Sequence, residues 1–437
     1  MNAPRRALTL VDKLAAATFR RGRAKGVGER PDPSQPEGTD RLPQIGHIVI
    51  LMMENHSFDN YLGTLGRGDG FTLDADGNPT ATNLTVAGEP VRAFHLPSTT
   101  QQPGVPSQSW VASHEQFDSG HNDGFVTSIE HAGLPGDPKV AMGYWTEQDL
   151  PFYAALARTF PLADRWFSSC LGPTIPNRRF LIAATAHGLT NDSILELFDK
   201  PPGTIFDMLN RNGITWANYH LSQELRLFKI RWARLRSDLQ SMVQFTADVF
   251  PFDLLGYWGH VRTIGRFFKH ARTGKLPAVS IVDPNYETDS EENPQDIQKG
   301  EAFAAKVINA VMAGPGWPRT VLIWCYDEHG GYYDHVPPPA APEPDDVRPR
   351  TAPQDRYDRL GFRVPAVIVS PFARPNYVSS VAHDHTSVLK LIETKWNLPP
   401  LTQRDAAADD LLDCLDLVGP PAFAVPPVLA PPALPIR

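Results

Sequence analysis

Cysteine is scarce in this chain of 437 residues, which contains only Cys170, Cys325 and Cys414. The three are widely separated and form no Cys-x-x-Cys pair, which excludes a zinc ribbon or a redox motif and argues against a disulfide scaffold. Cys325 lies inside the apolar run 321–325, so we predict that it is a buried core thiol.

Long apolar runs are missing as well, since none approaches the roughly 18 residues that a membrane-spanning helix needs. Asp12 and Lys13 interrupt the apolar stretch near the N-terminus and so break the core of a signal peptide. We therefore expect a soluble chain with no recognisable signal peptide, either cytoplasmic or exported by another route. Residues 7–19 have apolar side chains at helical spacing between basic flanks, which leaves peripheral contact with a membrane open.

Basic charge is also limited, because 41 Lys and Arg residues stand against 49 Asp and Glu residues, for a net charge of −8. Non-specific binding to nucleic acid needs a basic field, so this balance argues against a nucleic-acid partner. An acidic protein can still bind phosphate where a divalent cation supplies positive charge locally.

Hydrophobic residues make up 41% of the chain and charged residues 21%, an ordinary globular composition that allows one large core. Composition divides the chain into four parts. Residues 1–25 are predicted to be a basic amphipathic segment, 26–42 a linker rich in Pro and Gly, 43–418 a single large domain, and 419–437 a proline-rich tail in extended form.

Short apolar runs alternate with helical patterns inside this domain, which predicts an α/β fold with a mostly parallel central sheet flanked by helices. The runs 48–53, 320–324 and 364–369 are typical of buried strands, the last weakened by Pro365. The spacing also predicts a helix over 300–313, which a Gly-Pro-Gly stop follows directly.

Two of these runs end in residue types that bind metals: Glu54 and Asn55 follow the first, and Asp327, Glu328 and His329 follow the second. Ligands of open α/β sheets bind outside the carboxyl ends of the strands, where two such ends can converge. Carboxylate and amide oxygens suit Mg²⁺, Ca²⁺ or Mn²⁺, although carboxylates also bind zinc. Either pair alone is also typical of polar residues at exposed strand ends, whereas both together favour a metal site. The two glycines that come next allow a close backbone approach to a ligand or a plain turn.

The segment 172–178, Gly-Pro-Thr-Ile-Pro-Asn-Arg, precedes the apolar run 180–184 and indicates a turn that leads into a helix. A hydroxyl at a helix N-terminus lies beside unpaired backbone N–H groups, which is a favourable place for phosphate. Taken by itself, Thr174 also fits an N-cap residue, and that is the commoner role.

Four segments together resemble the motifs of the bacterial phosphoesterase family. They are ENHSFDNYLG at 54–63, GPTIPNR at 172–178, DEHGGYYDHVPPP at 327–339 and DHTSVLKLIE at 384–393. That family contains phospholipases C and a respiratory-burst-inhibiting acid phosphatase. The resemblance implies an alkaline-phosphatase-like α/β fold and a hydrolase of phosphoric esters, with the 43–418 domain as its catalytic body.

By the same resemblance, five residues match the metal ligands of the family: Glu54, Asn55, Thr174, Asp327 and Glu328. Thr174 also matches the nucleophile. The implied mechanism is attack of the Thr174 oxygen on phosphorus, assisted by one divalent metal ion of unassigned identity, to give a phosphothreonine that water hydrolyses.

Three histidines in matching motifs, His114, His335 and His385, are candidates for protonating the leaving group or binding phosphate oxygens. The alternative for each is a hydrogen-bonded structural histidine. His329 is next to a metal ligand and is expected to orient it, whereas His56 is expected to be structural.

Two departures from the family pattern replace histidines. Gln108 stands where many members have the His of His-Ser-Trp, and Asn293 where many have the His of Asp-His-Pro. Substrate preference or pH optimum is therefore expected to differ from that of relatives. These replacements and the basic N-terminal segment also support an alternative, a non-catalytic phospholipid- or phosphate-binding protein of the same fold. A transferase or sulfatase-type hydrolase has little support. The expected partner is a phosphate-ester substrate, with a phospholipid among the options, and the sequence does not specify an oligomeric state.

Overall fold

A computed structural model describes residues 28–192, 201–220, 257 and 259–436. The basic segment 1–25, with its predicted helix over 7–19, lies outside the described residues. Among the helices of the described ranges, none is both long enough and apolar enough to cross a membrane.

The strands are short, and most of those in the central sheet are buried along their whole length. The strands are β1 (His47–Met53), β2 (Thr82–Leu84), β3 (Pro90–Arg92), β4 (Phe94–His95), β5 (Gly143–Tyr144), β6 (Leu162–Ala163), β7 (Trp216–His220), β8 (Val261–Thr263), β9 (Val279–Val282), β10 (Thr320–Tyr326), β11 (Ala366–Val369) and β12 (Val378–Ser379). In the described residues, eight of them form one sheet in the order β12-β6-β11-β10-β1-β9-β7-β8. All pairs are parallel except the two that β11 makes, with β10 and β6. This arrangement confirms the predicted α/β fold with a mostly parallel sheet.

Helices flank the sheet, and their ends follow local capping rules. The helices are α1 (Phe58–Leu62), α2 (Trp110–Phe117), α3 (Phe125–Ala132), α4 (Pro151–Thr159), α5 (Thr174–Ala183), α6 (Ile205–Arg211), α7 (Ile264–Arg272), α8 (Ile297–Met312), α9 (His385–Trp396) and α10 (Gln403–Ala407). The α8 helix corresponds to the one predicted over 300–313. It starts three residues earlier because the Asp296 carboxylate accepts a hydrogen bond from the N–H of Gln298 and caps the N-terminus.

The carboxyl ends of three neighbouring strands lie at one edge of the sheet. In the parallel pair of β1 with β10, Met53 is opposite Tyr326, and β9 ends opposite Leu51 of β1. The backbone N–H of Asp327 continues this pairing by donating to the Met53 carbonyl at 3.2 Å. The polar residues that follow these strands are therefore brought to the same place, as the alternation of runs and clusters predicts.

The third predicted strand has a different role. It begins at Ala366, after Pro365, and runs antiparallel to β10, with Cys325 opposite Ala366. Because its direction is reversed, its carboxyl end points to the opposite edge of the sheet and supplies no residue to the candidate site.

The segments on either side of the predicted domain pack onto it where they are described. The side-chain amide of Asn397 hydrogen bonds to the backbone of Asp32 and Pro36, and Lys395 forms an ion pair with Asp40 at 2.6 Å. In the proline-rich tail, the Phe423 carbonyl accepts a hydrogen bond from the Trp317 indole at 2.9 Å, and no strand or helix occurs over 419–436. The domain boundaries at residues 43 and 418 stay a prediction.

Candidate active site

The first pair of predicted ligands lies in a tight turn after β1. Glu54 and Asn55 are buried, and Asn55 has φ of 71°, a left-handed conformation that is uncommon outside glycine. The N–H of Asn55 donates to Asp327 Oδ1 at 3.2 Å, so this turn is joined directly to the end of β10. Glu328 is the fourth of the metal ligands that were predicted from the strand ends, and it is also fully buried.

Oxygen atoms of three predicted ligands are left without hydrogen-bond partners. Glu54 Oε2, Asn55 Oδ1 and Glu328 Oε1 are buried, and none has a hydrogen-bond partner among the described residues. Buried polar atoms are normally hydrogen bonded, so such a group of acceptors requires an explanation. Three acceptor oxygens of carboxylate and amide type are the donor set that a hard divalent cation takes, and the residues present therefore fit one.

Arg178 extends its guanidinium between the carboxylates. Its Nε donates to Asp327 Oδ2 at 3.0 Å and its Nη1 to Asp283 Oδ1 at 3.1 Å, while Nη2 lies 3.5 Å from Glu54 Oε1. Burial alone would lower the pKa of Arg178, but the anionic groups around it raise it, so the guanidinium stays charged. Arg178 thus holds two of the predicted ligands from one side, and of their other oxygens Glu54 Oε2 is without a partner while Asp327 Oδ1 accepts from the N–H groups of Asn55 and Glu328.

Burial and neighbouring charges raise the pKa values of carboxyl groups in this region. Burial raises the pKa of Glu54 and of Glu328 well above the ordinary value, and neighbouring carboxylates raise both further. Burial also raises the pKa of Asp327, and it raises those of Asp192 and Glu292 to about 6 and about 7. A bound divalent cation would favour the ionised forms and reverse these shifts.

The predicted carboxylates are not as tightly grouped as those of a filled metal site. Within the described residues, groups in which three ligand atoms of His, Cys, Asp or Glu all lie within 4.8 Å of one another occur at Asp59, Asp334 and His335 and at a second place that is described below. In the predicted set, the Arg178 guanidinium separates Glu54 from Asp327.

Asp283 was missed by the sequence analysis, although a signal for it existed. It follows β9 directly, so the pattern of an apolar run and then an acid is the same as at Glu54 and Asp327. It is fully buried, and besides Arg178 it accepts a hydrogen bond from the Asn218 amide at 2.7 Å. Asp192 and Glu292 carried no such signal, because neither follows a strand.

Thr174 is the first residue of α5 and is half-buried. Thr174 and Arg178 are four residues apart and so lie on one face of the helix, which places the threonine on the side that meets the carboxylates. The next N–H of the helix, from Ile175, donates to Asp192 Oδ1 at 2.7 Å. One of the N–H groups expected to receive phosphate is therefore occupied by a carboxylate.

The two glycines after Glu328 are required by close backbone approach. Gly330 has φ of +67°, and a Cβ on it would lie 1.9 Å from the Asn55 carbonyl oxygen. Gly331 has φ of +82°, and a Cβ on it would lie 2.5 Å from the Ser107 carbonyl oxygen. The Gly330 N–H donates to Glu328 Oε2 at 2.7 Å. The two glycines therefore allow the turn that carries Asp327 and Glu328 to pack closely against the turn that carries Glu54 and Asn55.

Of the three candidate histidines, His385 is attached to the ligand turn. Its Nε2 donates to the Asp327 carbonyl at 2.7 Å, and the Trp166 indole approaches its Nδ1 at 3.5 Å. Burial lowers the pKa of His385 to about 4, so the imidazole is neutral near pH 7. These contacts orient the backbone of a predicted ligand.

His114 lies on α2, and its Nδ1 is 2.8 Å from the Trp110 carbonyl. It lines a cavity of about 380 Å³ together with Cys170 and Leu171, which precede Thr174 on the same loop. Burial lowers the pKa of His114. A ring nitrogen beside a recess next to the Thr174 loop is available to a bound molecule.

The contacts of His335 are with a different group of charges. Its Nδ1 lies 2.7 Å from Asp59 Oδ2, and Arg363 pairs with Asp59 and Asp334 at 3.1 and 2.8 Å. Burial lowers the pKa of His335, but the hydrogen bond and charge of Asp59 outweigh it and raise the pKa to about 9. The structure brings His335 to this ion network, and no contact joins it to Asp327 within the described residues.

His329 and His56, the two other histidines named in the sequence analysis, have fixed surroundings. His329 donates from Nε2 to Gln116 Oε1 at 2.7 Å, and its Nδ1 lies 3.4 Å from Glu328 Oε2. His56 bonds to Asn60 and stacks on Tyr61, with ring centroids 4.2 Å apart. Burial lowers the pKa of both rings to about 3.

The Glu292-Asn293-Pro294 departure also reaches the site. The Asn293 amide donates to the Val105 carbonyl at 2.7 Å and ties this loop to another segment of the body. The charge of Glu292 raises the pKa of Glu54, so the two carboxyl groups are neighbours. The loop thus supplies an acid beside the predicted ligands.

The chain is similar in sequence to known proteins of one family. A family model described as the phosphoesterase family matches residues 45–399. The chain is 31% identical to non-specific phospholipase C6 of Arabidopsis thaliana, with 89% of this chain and 75% of that protein covered. It is 30% identical to phospholipase C A of Mycobacterium tuberculosis, with 91% and 81% covered. A crystal structure described as a protein in the alkaline phosphatase superfamily, from Vibrio parahaemolyticus, has a TM-score of 0.43 and 9% identity, with 93% of this chain and 78% of that chain covered. On the family match and the identities, the chain belongs to the phosphoesterase family and is a hydrolase of phosphoric ester bonds.

Proposed function

We propose that this hydrolase works through a phosphothreonine at Thr174 and depends on one divalent metal ion. The ligands would be Glu54, Asn55, Thr174, Asp327 and Glu328. The observation that carries the proposal is the group of unpartnered buried oxygens on Glu54, Asn55 and Glu328, beside the helix that Thr174 begins.

The metal, when bound, lowers the pKa of the coordinated hydroxyl and offsets negative charge on the phosphoryl oxygens. The Thr174 oxygen would give up its proton and form a bond to phosphorus as the bond to the protonated leaving oxygen breaks. A phosphomonoester would leave a phosphothreonine, and a phosphodiester would leave the same threonine phosphate still carrying its second ester group, which water later cleaves from Thr174. Arg178 keeps the carboxylates of Glu54 and Asp327 in place and leaves Glu54 Oε2 without a hydrogen-bond partner. Asp327 Oδ1 accepts hydrogen bonds from the N–H groups of Asn55 and Glu328. A half-buried residue at the start of a helix suits this role because the helix backbone holds its position before substrate arrives.

His114 is the histidine that we propose to protonate the leaving group, since it lines the cavity beside the Thr174 loop. His385 is proposed to hold the Asp327 backbone, and His329 to hold Glu328. The catalytic assignment of His335 stays a prediction, to which its ion pair with Asp59 gives no support.

For substrate, we propose a phospholipid diester. Two relatives that cover most of this chain are named phospholipases C. Phosphomonoesters are the competing class, because Gln108 and Asn293 replace family histidines that would contact phosphate or the leaving group.

The test compares p-nitrophenyl phosphorylcholine with p-nitrophenyl phosphate, with and without chelator. We expect faster turnover of the diester, loss of turnover with chelator and recovery on adding a divalent ion. Thr174→Ala should reduce kcat at least about a thousandfold, and Thr174→Ser should keep much of it because the hydroxyl remains. Thr159→Ala is the matched control, since the Thr159 hydroxyl only donates to the Ala155 carbonyl of its own helix.

Different outcomes overturn different parts of the proposal. Equal turnover by wild type and Thr174→Ala removes the nucleophile. Full activity in chelator removes the metal. Faster turnover of the monoester replaces the diester by a phosphomonoester, and binding without turnover of either compound would favour the non-catalytic alternative.

A further inference from the structure

A second group of metal-binding side chains lies beyond the N-terminal end of α9. His383 comes just before that helix, while Asp413 and Cys414 belong to the short 3₁₀ turn Leu412–Cys414. One ligand atom from each of the three lies within 4.8 Å of the others. His383 and Cys414 are 0% exposed, and the Asp413 side chain is 21% exposed.

Two buried polar atoms of this group have no hydrogen-bond partner in the part of the chain that the structure describes. They are Nδ1 of His383 and Oδ1 of Asp413. Nδ1 faces Asp409 Oδ1 at 3.7 Å, and Nε2 faces Asp413 Oδ1 at 3.6 Å. Both distances are too long for hydrogen bonds, so a fully buried imidazole lies between two carboxylates without direct contact to either.

The positions of the protons show why a cation fits. The carboxylate of Asp409 favours a proton on Nδ1, which leaves a lone pair on Nε2 facing the unpartnered oxygen of Asp413. The Ser379 hydroxyl has a single proton and faces both Nε2, at 3.2 Å, and the second oxygen of Asp413. The second oxygen of Asp413 also accepts a hydrogen bond from the Tyr377 hydroxyl at 3.1 Å, so Oδ1 is the Asp413 oxygen that has no donor among the described residues and can take a cation.

The ligand types and their spacing match zinc. Zinc binds imidazole nitrogen, carboxylate oxygen and thiolate sulfur at about 2.0–2.3 Å, which in a tetrahedron separates neighbouring ligand atoms by about 3.3–3.8 Å. The distance of 3.6 Å between His383 Nε2 and Asp413 Oδ1 lies in that range. The Cys414 thiol interacts with both Asp413 and Ser379 and thus lies at the same centre.

The surrounding charge distinguishes this group from the similar trio at Asp59, Asp334 and His335. There, Arg363 pairs with both aspartates and already provides a positive charge. Around His383, by contrast, Asp384, Asp409, Asp410 and Asp413 all contribute negative charge.

We propose that His383 Nε2, Asp413 and Cys414 bind one zinc ion, with solvent in the fourth position and the Asp409 carboxylate facing His383 Nδ1 at 3.7 Å. Binding releases the thiol proton of Cys414 to solvent, since the metal takes the thiolate. The exposed edge of Asp413 gives the ion a path from solvent. A carboxylate on the distal ring nitrogen is the usual support for a zinc-bound histidine.

This site joins the C-terminal part of the chain to the candidate active site. It fixes the 412–414 turn to residue 383, two positions before His385, whose Nε2 holds the Asp327 carbonyl. Zinc at this site is therefore a positioning device for the ligand turn, and the proposal does not depend on the proposed function being right.

Cobalt replaces zinc and gives a thiolate-to-metal absorption band in the near ultraviolet, which reports only a site that contains cysteine. The predicted active-site ligands are all oxygens, so an ion bound there produces no such band. We expect one equivalent of Co²⁺ to give the band in the full chain after chelator treatment, and zinc to abolish it. Cys414→Ser should lose the band, while the matched control Cys170→Ser, another buried cysteine, should keep it. Asp327→Asn should also keep it, which separates this site from the proposed metal of the active site.

Absence of the band in wild type, or its survival in Cys414→Ser, would overturn the proposal. Should Cys414→Ser fail to fold by circular dichroism, Asp413→Asn provides the second test. Zinc affinity, measured by competition with a chromophoric chelator, should fall at least about tenfold in that variant. An affinity equal to that of wild type would overturn the proposal as well.

Discussion

At the scale of single residues, Arg178 pairs with three buried carboxylates. Its side chain is 7% exposed, and its guanidinium pairs with Asp327, Asp283 and Glu54. Removing one partner of a buried ion network leaves uncompensated buried charge, at a cost of about 3–5 kcal/mol. We therefore expect Arg178→Met to lower the free energy of unfolding of chelator-treated protein by about that amount, measured by urea denaturation.

An exposed ion pair serves as the control for this measurement. Arg158 pairs with Glu147 at 2.5 Å, but the two side chains are 48% and 56% exposed. Such pairs contribute less than about 1 kcal/mol, so Arg158→Met should change little. A loss in Arg178→Met no larger than that of the control would contradict the assigned role.

The pKa of His335 predicts how the free energy of unfolding depends on pH. Its pKa is raised to about 9 in the folded protein, chiefly by Asp59 against the effect of burial. A raised pKa stabilises the folded state fully below the unfolded value near 6.5, and this contribution is lost as the pH rises through about 9. His335→Gln should therefore lower the unfolding free energy by about 2 kcal/mol at pH 6, after allowance for partial exposure.

The difference between wild type and His335→Gln should shrink above pH 9, as followed by urea denaturation at several pH values. His95→Gln is the control, because His95 pairs with Asp149 at a largely exposed position. A difference that does not vary with pH would show that His335 acts only through packing.

At this scale the sequence holds a signal for residues that directly follow strands and none for residues that lie elsewhere. Glu54 and Asp327 could be found because an apolar run precedes each, and Asp283 has the same signal. Asp192 and Glu292 could not, because their place in the site depends on where loops fold back. The ion network of His335 was equally hidden, since Asp59 and Arg363 are about 300 residues apart in sequence and meet only in the fold.

At the scale of elements, the turn after β10 allows a direct test of the close contact between the two ligand turns. A Cβ on Gly330 would lie 1.9 Å from the Asn55 carbonyl oxygen, whereas Gly133, with a similar φ of +61°, has open space around it. Gly133→Ala should cost about 1–2 kcal/mol from the left-handed backbone alone. Gly330→Ala should cost at least about 3 kcal/mol more, because the two ligand turns must separate.

Thermal unfolding and turnover of p-nitrophenyl phosphate check this pair of variants. We expect Gly133→Ala to keep wild-type turnover and Gly330→Ala to lose it, since Asn55 is displaced. Equal loss of stability in both variants would mean that the close approach at Gly330 is relieved without cost.

Elements were predictable where a single local signal decides them. The runs 48–53 and 320–324 correspond to β1 and β10, and the Gly-Pro-Gly stop correctly ended α8. The antiparallel direction of β11 was not predictable, because strand direction depends on the connection between strands and not on the run itself. For the same reason, the sequence could not show that β9 lies beside β1.

At the scale of the whole molecule, residues 28–42 act as part of the body. Asn397 is fully buried and its amide bonds to backbone groups of that segment, and the buried Lys395 pairs with Asp40. A chain that starts at residue 43 should therefore unfold at lower denaturant concentration than one that starts at residue 28. We expect a loss of about 2 kcal/mol or more, since buried polar groups are left unpartnered. Equal midpoints for the two chains would show that the segment contributes nothing.

The assembly of the site depends on the whole fold. Thr174 begins a helix that lies far from both ligand pairs in sequence, and only the sheet order and the packing of α5 bring Arg178 to Asp327. Local patterns predicted the metal set and the helix start, whereas the resemblance to a family supplied the nucleophile.

The most direct test of the central claim is to look for the phosphothreonine itself. Wild-type protein turning over p-nitrophenyl phosphate is quenched in acid, digested and analysed by mass spectrometry. We predict phosphate on the peptide that contains Thr174, and on the same position in Thr174→Ser, with none in Thr174→Ala. An unmodified Thr174 in protein quenched during turnover, together with wild-type turnover by Thr174→Ala, would contradict the account.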